Sequence, residues 1–148
     1  MGPLNRQKGA QRVAIIGLGR FGLAAGKALV EMGHDVIGID RSESTVEEAK
    51  DELPLVVQAQ LHEGNVIRDL GLHETDAAIV AIGDDAQASI FVTALLVEAG
   101  APYVIARAHT RLHGLILERV GAHRVVYPES EGGEALARSL QASRPPGP

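Results

Sequence analysis

The chain contains no cysteine and no tryptophan, and aromatic residues make up only 3% of its 148 positions. The absence of cysteine excludes disulfides and thiol chemistry, and it is compatible with the cytosol. No cluster of Lys or Arg stands out and the formal net charge is −5, which argues against a nucleic-acid partner. The apolar runs are also far shorter than the ~20 residues that a membrane-spanning helix needs.

Hydrophobic residues make up 45% of the sequence, which is enough for one domain with a substantial core. We expect this domain to occupy residues 12–142. The polar start, residues 1–11, is predicted to be a disordered lead-in. The last segment, residues 143–148, reads SRPPGP, and its prolines cannot continue a helix, so a linker or end segment is expected there.

One stretch near the start of the chain organises the rest. Val13–Ile16 is entirely apolar and predicts a buried parallel strand. Gly17–Gly22 follows as a complete G-x-G-x-x-G, and Phe21–Met32 then has apolar residues at helical spacing. A second apolar run, Val36–Ile39, ends on Asp40, close to the offset of roughly twenty residues expected for a ribose-binding acid.

Each residue type in this stretch suits a dinucleotide or nucleotide site. Gly17 allows the tight turn out of the strand, Gly19 lets the backbone approach a pyrophosphate, and Gly22 lets the helix pack close to the strand. The unpaired N–H groups of the first helical turn then face the phosphates. Asp40 can accept hydrogen bonds from both ribose hydroxyls. The alternative is a glycine-rich turn that packs a strand and a helix together and binds nothing.

The rest of the chain alternates strands and helices. Four further strands are predicted at Leu55–Ala59, Ala77–Ile82, Tyr103–Ala106 and Arg124–Tyr127. The helices between and after them are predicted at Glu43–Leu53, Val66–Leu70, Ala86–Ala99, Arg111–Val120 and Glu131–Gln141, with caps expected from Ser42, Asp85, Thr110 and Ser130. This α/β pattern predicts a Rossmann-like, doubly wound, six-stranded parallel sheet with the strand order 3-2-1-4-5-6.

Ligands of such sheets bind at the carboxyl ends of the strands, at the point where the strand order reverses. The candidate ligand-binding residues on this edge are Gly17, Gly19, Arg20, Phe21, Gly22, Asp40, Arg41, Asn65, Val66, Ile82, Gly83, Asp85 and Arg107.

Several of these residues have an ordinary structural alternative. Arg20 is placed to bind a terminal phosphate, but it is equally well interpreted as a solvated surface arginine. Asn65 and Val66 are placed to meet an adenine ring, yet Gly64 and Asn65 also suit a simple turn. Asp85 is more simply interpreted as a helix cap.

No catalytic constellation is predicted. His109 and His113 are four residues apart, but there is no glutamate at the H-E-x-x-H position and His109 precedes the predicted helix, so a structural role is favoured over a metal site. Tyr103 and Arg107 do not form a Tyr-x-x-x-Lys dyad, because they belong to a predicted strand and the residue that follows it, and an arginine is too basic to serve as a proton shuttle.

Four motifs together resemble a known family more specifically than the glycine motif alone. They read V-A-I-I-G-L-G-R-F-G, V-I-G-I-D-R, I-V-A-I-G-D-D-A-Q-A-S and L-E-R-V-G-A-H-R-V-V-Y-P-E. The chain resembles, from about Arg12 to Leu140, the N-terminal domain of regulators of potassium conductance. This is the cytosolic nucleotide-binding domain of Trk- and Ktr-type potassium uptake systems.

The resemblance implies roles for particular residues. It implies that Arg20 contacts outer phosphates, that Asp40 contacts the adenosine ribose and that Asn65-Val66 contacts the adenine. Arg107 stands where the family commonly has a basic residue near phosphates. Glu129 stands where Ktr-type relatives have an acid associated with a divalent cation, Mg²⁺ or Ca²⁺, near the nucleotides of a dimer.

The resemblance also implies a function. The expected ligand is an adenine nucleotide, either NAD/NADH or ATP/ADP, and the expected partner is a membrane-embedded potassium transporter or channel. The domain is then a cytoplasmic regulatory module that assembles as a homodimer or higher ring, an octamer of domains by resemblance, at the inner face of the membrane. The competing interpretations are a fragment of an NAD-dependent oxidoreductase and a domain without ligand that serves only as an assembly platform.

Assembly is also predicted from one helix alone. The apolar residues of Ala86–Ala99 surround the predicted helix instead of forming one stripe. A helix that flanks a sheet needs a single apolar face, so a second face is expected to be buried by another subunit.

Overall fold

The computed structural model describes residues 9–63, 65–143 and 147 of the chain. Its core is a parallel sheet of six strands in the order β3-β2-β1-β4-β5-β6, which confirms the predicted fold class and strand order. The strands are β1 (Arg12–Ile16), β2 (Asp35–Asp40), β3 (Val56–Gln58), β4 (Ala77–Val80), β5 (Val104–Arg107) and β6 (Arg124–Val126).

In the described part of the chain, six α-helices connect and follow these strands. They are α1 (Arg20–Glu31), α2 (Glu43–Ala49), α3 (Val66–Asp69), α4 (Ala86–Glu98), α5 (Arg111–Arg119) and α6 (Pro128–Ala142). A 3₁₀ turn at Leu72–Glu74, which the sequence did not indicate, leads from α3 into β4. Within the described residues, no helix is long and apolar enough to cross a membrane.

The central strand, β1, is buried on both sides. It pairs with β2 through Val13 and Val36, and with β4 through Val13 and Ala77. Because successive side chains of a strand point to opposite faces, β1 contributes to two separate cores. Ile15 packs in the core beneath α1 and α2, whereas Ile16 packs in the core beneath α4 and α5. Burial of β1 on both faces explains why Val13–Ile16 is a continuous apolar run.

Three predicted helix caps are confirmed. The Ser42 side chain accepts a hydrogen bond from the Thr45 N–H at the start of α2. Asp85 accepts from the Ala88 N–H at the start of α4, and Thr110 caps α5. These caps set where each helix begins because they satisfy amide donors of the first turn.

The predicted start of the last helix is wrong. The helix begins at Pro128, with Tyr127 as its N-cap, and not at Glu131 after Ser130. Proline suits the first helical position because its missing N–H would have no partner there. The Glu131 carboxylate accepts a hydrogen bond from the Tyr127 N–H at 2.5 Å, so it reaches back to the N-cap of the helix.

Other boundaries differ by a few residues. Helix α2 ends at Ala49 and not at Leu53, since the chain turns before Pro54 to bring Leu53 back into the core. Strand β3 is one residue shorter than predicted at each end. Strand β4 begins where predicted but ends at Val80 and not at Ile82. The predicted turn residue Gly64 lies outside the described residues, as do 1–8 of the predicted lead-in and 144–146 and 148 of the predicted end segment.

Helix α6 stands apart from both cores. It extends for 15 residues, and none of them is buried in the structure. Leu136 and Leu140 are about 70% exposed, at 71% and 68%. A helix with exposed leucines on one side has an apolar face that this copy of the chain does not cover.

Candidate functional site

The loop between β1 and α1 depends on two glycines. Gly17 has a φ of +98°, which side chains rarely adopt, and a Cβ built on it would lie 2.8 Å from the backbone nitrogen of Ile82. Gly22 is buried in α1, where a Cβ would overlap the carbonyl oxygen of Gly17. Gly19, the N-cap of α1, is different, because a Cβ built there has no described atom within 4 Å. The loop is therefore closely packed at Gly17 and Gly22, and it leaves open space at Gly19, next to the N-terminus of α1.

Asp40, at the end of β2, holds this loop in place. Its carboxylate accepts the Leu18 N–H at 2.8 Å through Oδ2 and the Ser42 N–H at 2.9 Å through Oδ1. Its carbonyl oxygen accepts the Ala59 N–H at 3.1 Å. An ionised carboxylate offers about four acceptor positions, so each oxygen of Asp40 can still accept a second donor.

A cavity of about 510 Å³ opens at the carboxyl ends of β1, β2 and β4, where the strand order reverses. This size lies in the range of small-molecule and cofactor sites. Its walls are formed by the following residues: Ile16, Gly17, Gly19, Arg20, Ile39, Asp40, Arg41, Ser42, Thr45, Ala59, Gln60, Leu61, His62, Ala81, Ile82, Gly83, Asp84, Ala88, Val92 and Arg107.

Eight of the thirteen candidate ligand-binding residues line this cavity. These eight are Gly17, Gly19, Arg20, Asp40, Arg41, Ile82, Gly83 and Arg107. The other five, which do not line it, are Phe21, Gly22, Asn65, Val66 and Asp85. Gly22 and Phe21 support the wall from behind, and Asp85 caps α4.

The two residues predicted to meet an adenine lie elsewhere in the structure. Asn65 lines a second, smaller cavity of about 110 Å³, and Val66 packs against the core beneath α4. The side of the main cavity after β3 is formed by Ala59–His62 instead. The sequence predicted the end of this strand, but it gave no signal for residues 60–62, which have neither a periodic pattern nor a turn motif.

Arg41 spans the mouth of the cavity. Its guanidinium lies 3.5 Å from Asp85 Oδ2 and 3.8 Å from Asp84 Oδ2. This links the end of β2 to the residues that follow β4, on opposite sides of the cavity. The sequence could not predict that Arg41 pairs with Asp84 and Asp85, since these residues are more than forty positions apart in the chain.

Arg107, the last residue of β5, is held on three sides. Its guanidinium carbon lies 5.4 Å from the centroid of the Phe21 ring, within the range of a cation–π contact. Its Nη2 donates to Glu129 Oε1 at 2.5 Å. A Cβ built on Gly83 would lie 3.1 Å from its Nη1. The backbone N–H of Glu129 and the Arg107 guanidinium lower the pKa of the Glu129 carboxyl.

The side chains around Glu129 do not form a divalent-cation site within one copy of the chain. Mg²⁺ and Ca²⁺ take six or more oxygen ligands, and Glu129 is instead paired with a guanidinium. Nor does any group of three or more His, Cys, Asp or Glu side chains suited to a metal occur in the part of the chain described. A cation at Glu129 would need oxygen ligands from a second copy.

Ser89 and His113 make a buried contact that superficially suggests a nucleophile and its base. Ser89 Oγ lies 2.7 Å from His113 Nε2 and donates its own proton to the Ala86 carbonyl at 2.9 Å. His113 Nδ1 accepts the His109 N–H at 3.2 Å. The proton of the neutral imidazole is therefore on Nε2, which cannot accept a proton from Ser89. This pair stabilises the packing of α4 on α5.

The same environment predicts a pH dependence of stability. Burial, and secondarily the neighbouring His109, lowers the pKa of His113 from its ordinary value of 6.5. Just below pH 6.5, the unfolded chain therefore binds more protons than the folded one. The contribution of neutral His113 to the free energy of unfolding is complete above pH 6.5, and it is lost as the pH falls through the folded-state pKa.

We expect that lowering the pH from about 7.5 to about 5.5 decreases the melting temperature of the wild type more than that of His113→Gln. Circular dichroism measures both melting temperatures. His62→Gln, a substitution of an exposed histidine, is the control and should behave as the wild type does. Equal pH dependence in His113→Gln and the wild type would contradict the assignment.

Comparison with known proteins gives a consistent result. The TrkA-N domain family matches residues 13–128. Ktr system potassium uptake protein A of Bacillus subtilis (strain 168) is 38% identical over 130 residues, covering 88% of this chain and 59% of the relative. The protein of the same name from Vibrio alginolyticus is 35% identical over 136 residues, covering 92% of this chain and 62% of the relative. The chain thus spans about three fifths of these relatives.

Solved structures of the GsuK channel are also similar. The GsuK channel bound to NAD superposes with a TM-score of 0.75 at 30% identity, covering 90% of this chain and 24% of that chain. GsuK bound to ADP gives a TM-score of 0.74 at 30% identity, covering 90% of this chain and 35% of that chain.

Proposed function

The chain belongs to the TrkA-N domain family, and we propose that it is a nucleotide-binding regulatory domain that gates a potassium transporter or channel. The single observation that carries this proposal is the cavity at the switch point of the sheet. A glycine loop, a helix N-terminus and the Asp40 carboxylate meet there. The named relatives are potassium uptake proteins, and the GsuK channel is a structural neighbour.

The ligand that suits this cavity best is an adenine nucleotide. The open space in front of Gly19 leaves room for phosphates next to the amide groups of α1, and two guanidinium groups, Arg20 and Arg107, line the same wall. Asp40 keeps acceptor capacity for ribose hydroxyls. NAD and ADP are the ligands named for GsuK, so both enter the proposal.

We further propose that nucleotides act by shifting a conformational equilibrium and not by chemistry. A ligand gates a partner only if it binds two conformations of the assembly with different affinity. Among the described residues, Ser89 and His113 most resemble a catalytic pair, but His113 carries its proton on Nε2 and cannot act as a base toward Ser89. We also propose that the membrane partner holds the domain at the cytoplasmic face of the membrane.

Assembly into a homodimer or a ring is part of the proposal, and α4 carries the argument. The buried residues of α4 include two polar ones, Ser89 and Thr93, while Phe91 is 56% exposed. Leu112 and Ile116 of α5, a helix that packs beside α4, are exposed as well. We define Phe91, Leu112 and Ile116 as the α4–α5 face, and we propose that a second copy covers it.

We expect Phe91→Asp to dissociate the assembly, because a carboxylate in a dry interface is costly to desolvate. Multi-angle light scattering at micromolar concentration should give a dimer or larger species for the wild type and a monomer for Phe91→Asp. Leu55→Asp is the matched control, since Leu55 is 53% exposed near β3, at the other end of the sheet. A wild type that is monomeric under these conditions would refute the proposed interface.

The decisive experiment for function is a calorimetric titration with ATP, ADP, AMP, NAD and NADH side by side. GDP, which has the same phosphates and ribose as ADP, serves as the control for base recognition. We expect saturable binding of at least one adenine nucleotide and weaker binding of GDP. Failure of all five to bind at millimolar concentration would reject the proposal, and sustained oxidation of NADH would favour an oxidoreductase.

A further inference from the structure

Arg107 connects the cavity to helix α6. Its side chain lines the cavity on the side of Gly83, and the same guanidinium holds Glu129 in the first turn of α6. The Arg107 side chain is only 17% exposed, whereas that of Glu129 is 65% exposed. The cation is therefore fixed in the cavity wall, and the carboxylate approaches it from outside.

The Arg107–Glu129 pair matters because α6 has so few other attachments to the domain. None of the residues of α6 is buried, and the Glu131 hydrogen bond to Tyr127 stays within the helix and its N-cap. The ion pair thus joins the first turn of α6 to the end of β5.

A second feature of Arg107 is a donor that its neighbours leave unpaired. Its Nε is buried and has no hydrogen-bond partner in the described part of the chain. A guanidinium carries five N–H donors, and buried donors are normally satisfied. Arg107 also lines the cavity, so an anion there would find a cation that is already oriented by the Phe21 ring.

We propose that Glu129 and the phosphates of a bound nucleotide compete for Arg107, so that nucleotide binding and the attachment of α6 oppose each other. Two anions on one cation repel each other, and each weakens the hold of the other. Coupling of this kind is reciprocal: if the carboxylate weakens phosphate binding, phosphate loosens the first turn of α6 by the same factor. This inference rests on the proposed nucleotide site, and it assigns the Glu129 carboxylate a role in regulating nucleotide affinity at that site.

The pair also bears on the divalent cation expected at Glu129, which stays a prediction for a dimer. The resemblance implied a divalent cation at this carboxylate, whereas the structure supplies the guanidinium of the same chain.

The first test compares ADP and adenosine by calorimetry in the presence of EDTA, in the wild type and in Glu129→Gln. Freeing Arg107 should tighten ADP binding about two- to fivefold, the range for a largely exposed ion pair, and leave adenosine binding unchanged. Glu134→Gln, the same substitution at an exposed position further along α6, should change neither. Unchanged or weaker ADP binding in Glu129→Gln would overturn the competition.

The second test measures hydrogen exchange of the backbone amides of residues 129–133. In the wild type, saturating ADP should accelerate exchange there, whereas in Glu129→Gln exchange should already be fast and insensitive to ADP. Slower or unchanged exchange in the wild type with ADP bound would refute the competition and leave the proposed function intact. If the wild type binds no adenine nucleotide at all, the proposed function and this inference both fall.

Discussion

Replacing Gly22 with alanine is expected to destabilise the domain by about 3 kcal/mol, the upper end of the usual cost of overpacking. The added methyl group would overlap the carbonyl oxygen of Gly17, and it would also lie 3.1 Å from the Cβ of Ala81. Backbone cannot rotate away as a flexible side chain does, so α1 must move off the sheet. Urea denaturation followed by circular dichroism measures the loss.

Gly19→Ala is the matched control for this prediction. It makes the same change three residues earlier, where φ is −74° and the new methyl group meets no described atom within 4 Å. We expect its free energy of unfolding to stay within about 0.5 kcal/mol of the wild type. Its nucleotide affinity should fall, however, because the methyl group enters the space proposed for phosphates. Equal stability of Gly22→Ala and Gly19→Ala would refute the packing argument.

Asp40→Ala is expected to weaken every adenine nucleotide by about 1.5–3 kcal/mol, the contribution typical of hydrogen bonds to a charged group. That loss corresponds to roughly a 10- to 150-fold rise in Kd. Two effects combine, since the variant loses the acceptor proposed for the ribose and also releases the Leu18 and Ser42 amides that shape the cavity. Calorimetric titration with ADP and NAD measures the change.

Asp76→Ala separates these effects from general destabilisation. Asp76 Oδ2 likewise accepts a backbone amide, from Arg12 at 2.7 Å, but it lies at the opposite, amino-terminal edge of the sheet. We expect Asp76→Ala to lower the melting temperature without changing nucleotide affinity. If Asp40→Ala binds ADP within twofold of the wild type, the proposed role of Asp40 is wrong.

The fold was predictable because its signals are local. Each buried strand appears as a short apolar run, and Ser42, Asp85 and Thr110 mark helix starts through hydrogen bonds that span only three residues. Pro128 misled the prediction because a proline after a strand either ends it or begins a helix. The choice depended on Glu131 reaching back to Tyr127.

The site was predictable only in part, for a related reason. The glycine loop and Asp40 follow a fixed spacing, so the sequence contains them explicitly. The Arg41–Asp85 and Arg107–Glu129 pairs join residues that are distant in sequence, and their partners depend on where the sheet places each strand end. The segment 59–62 lines the cavity because it follows the carboxyl end of β3, where the Ala59 N–H donates to the Asp40 carbonyl oxygen of the neighbouring strand.

The position of β1 has a consequence for how the protein is made. Its second neighbour in the sheet is β4, which the ribosome completes only after α1, β2, α2, β3 and α3. At roughly 5–20 residues per second, the apolar edge of β1 stays unpaired for several seconds of synthesis. An unpaired apolar edge is a template for wrong strand pairing. The nascent chain is therefore most vulnerable to aggregation and most dependent on chaperones in the interval before Ala77–Val80 leaves the exit tunnel.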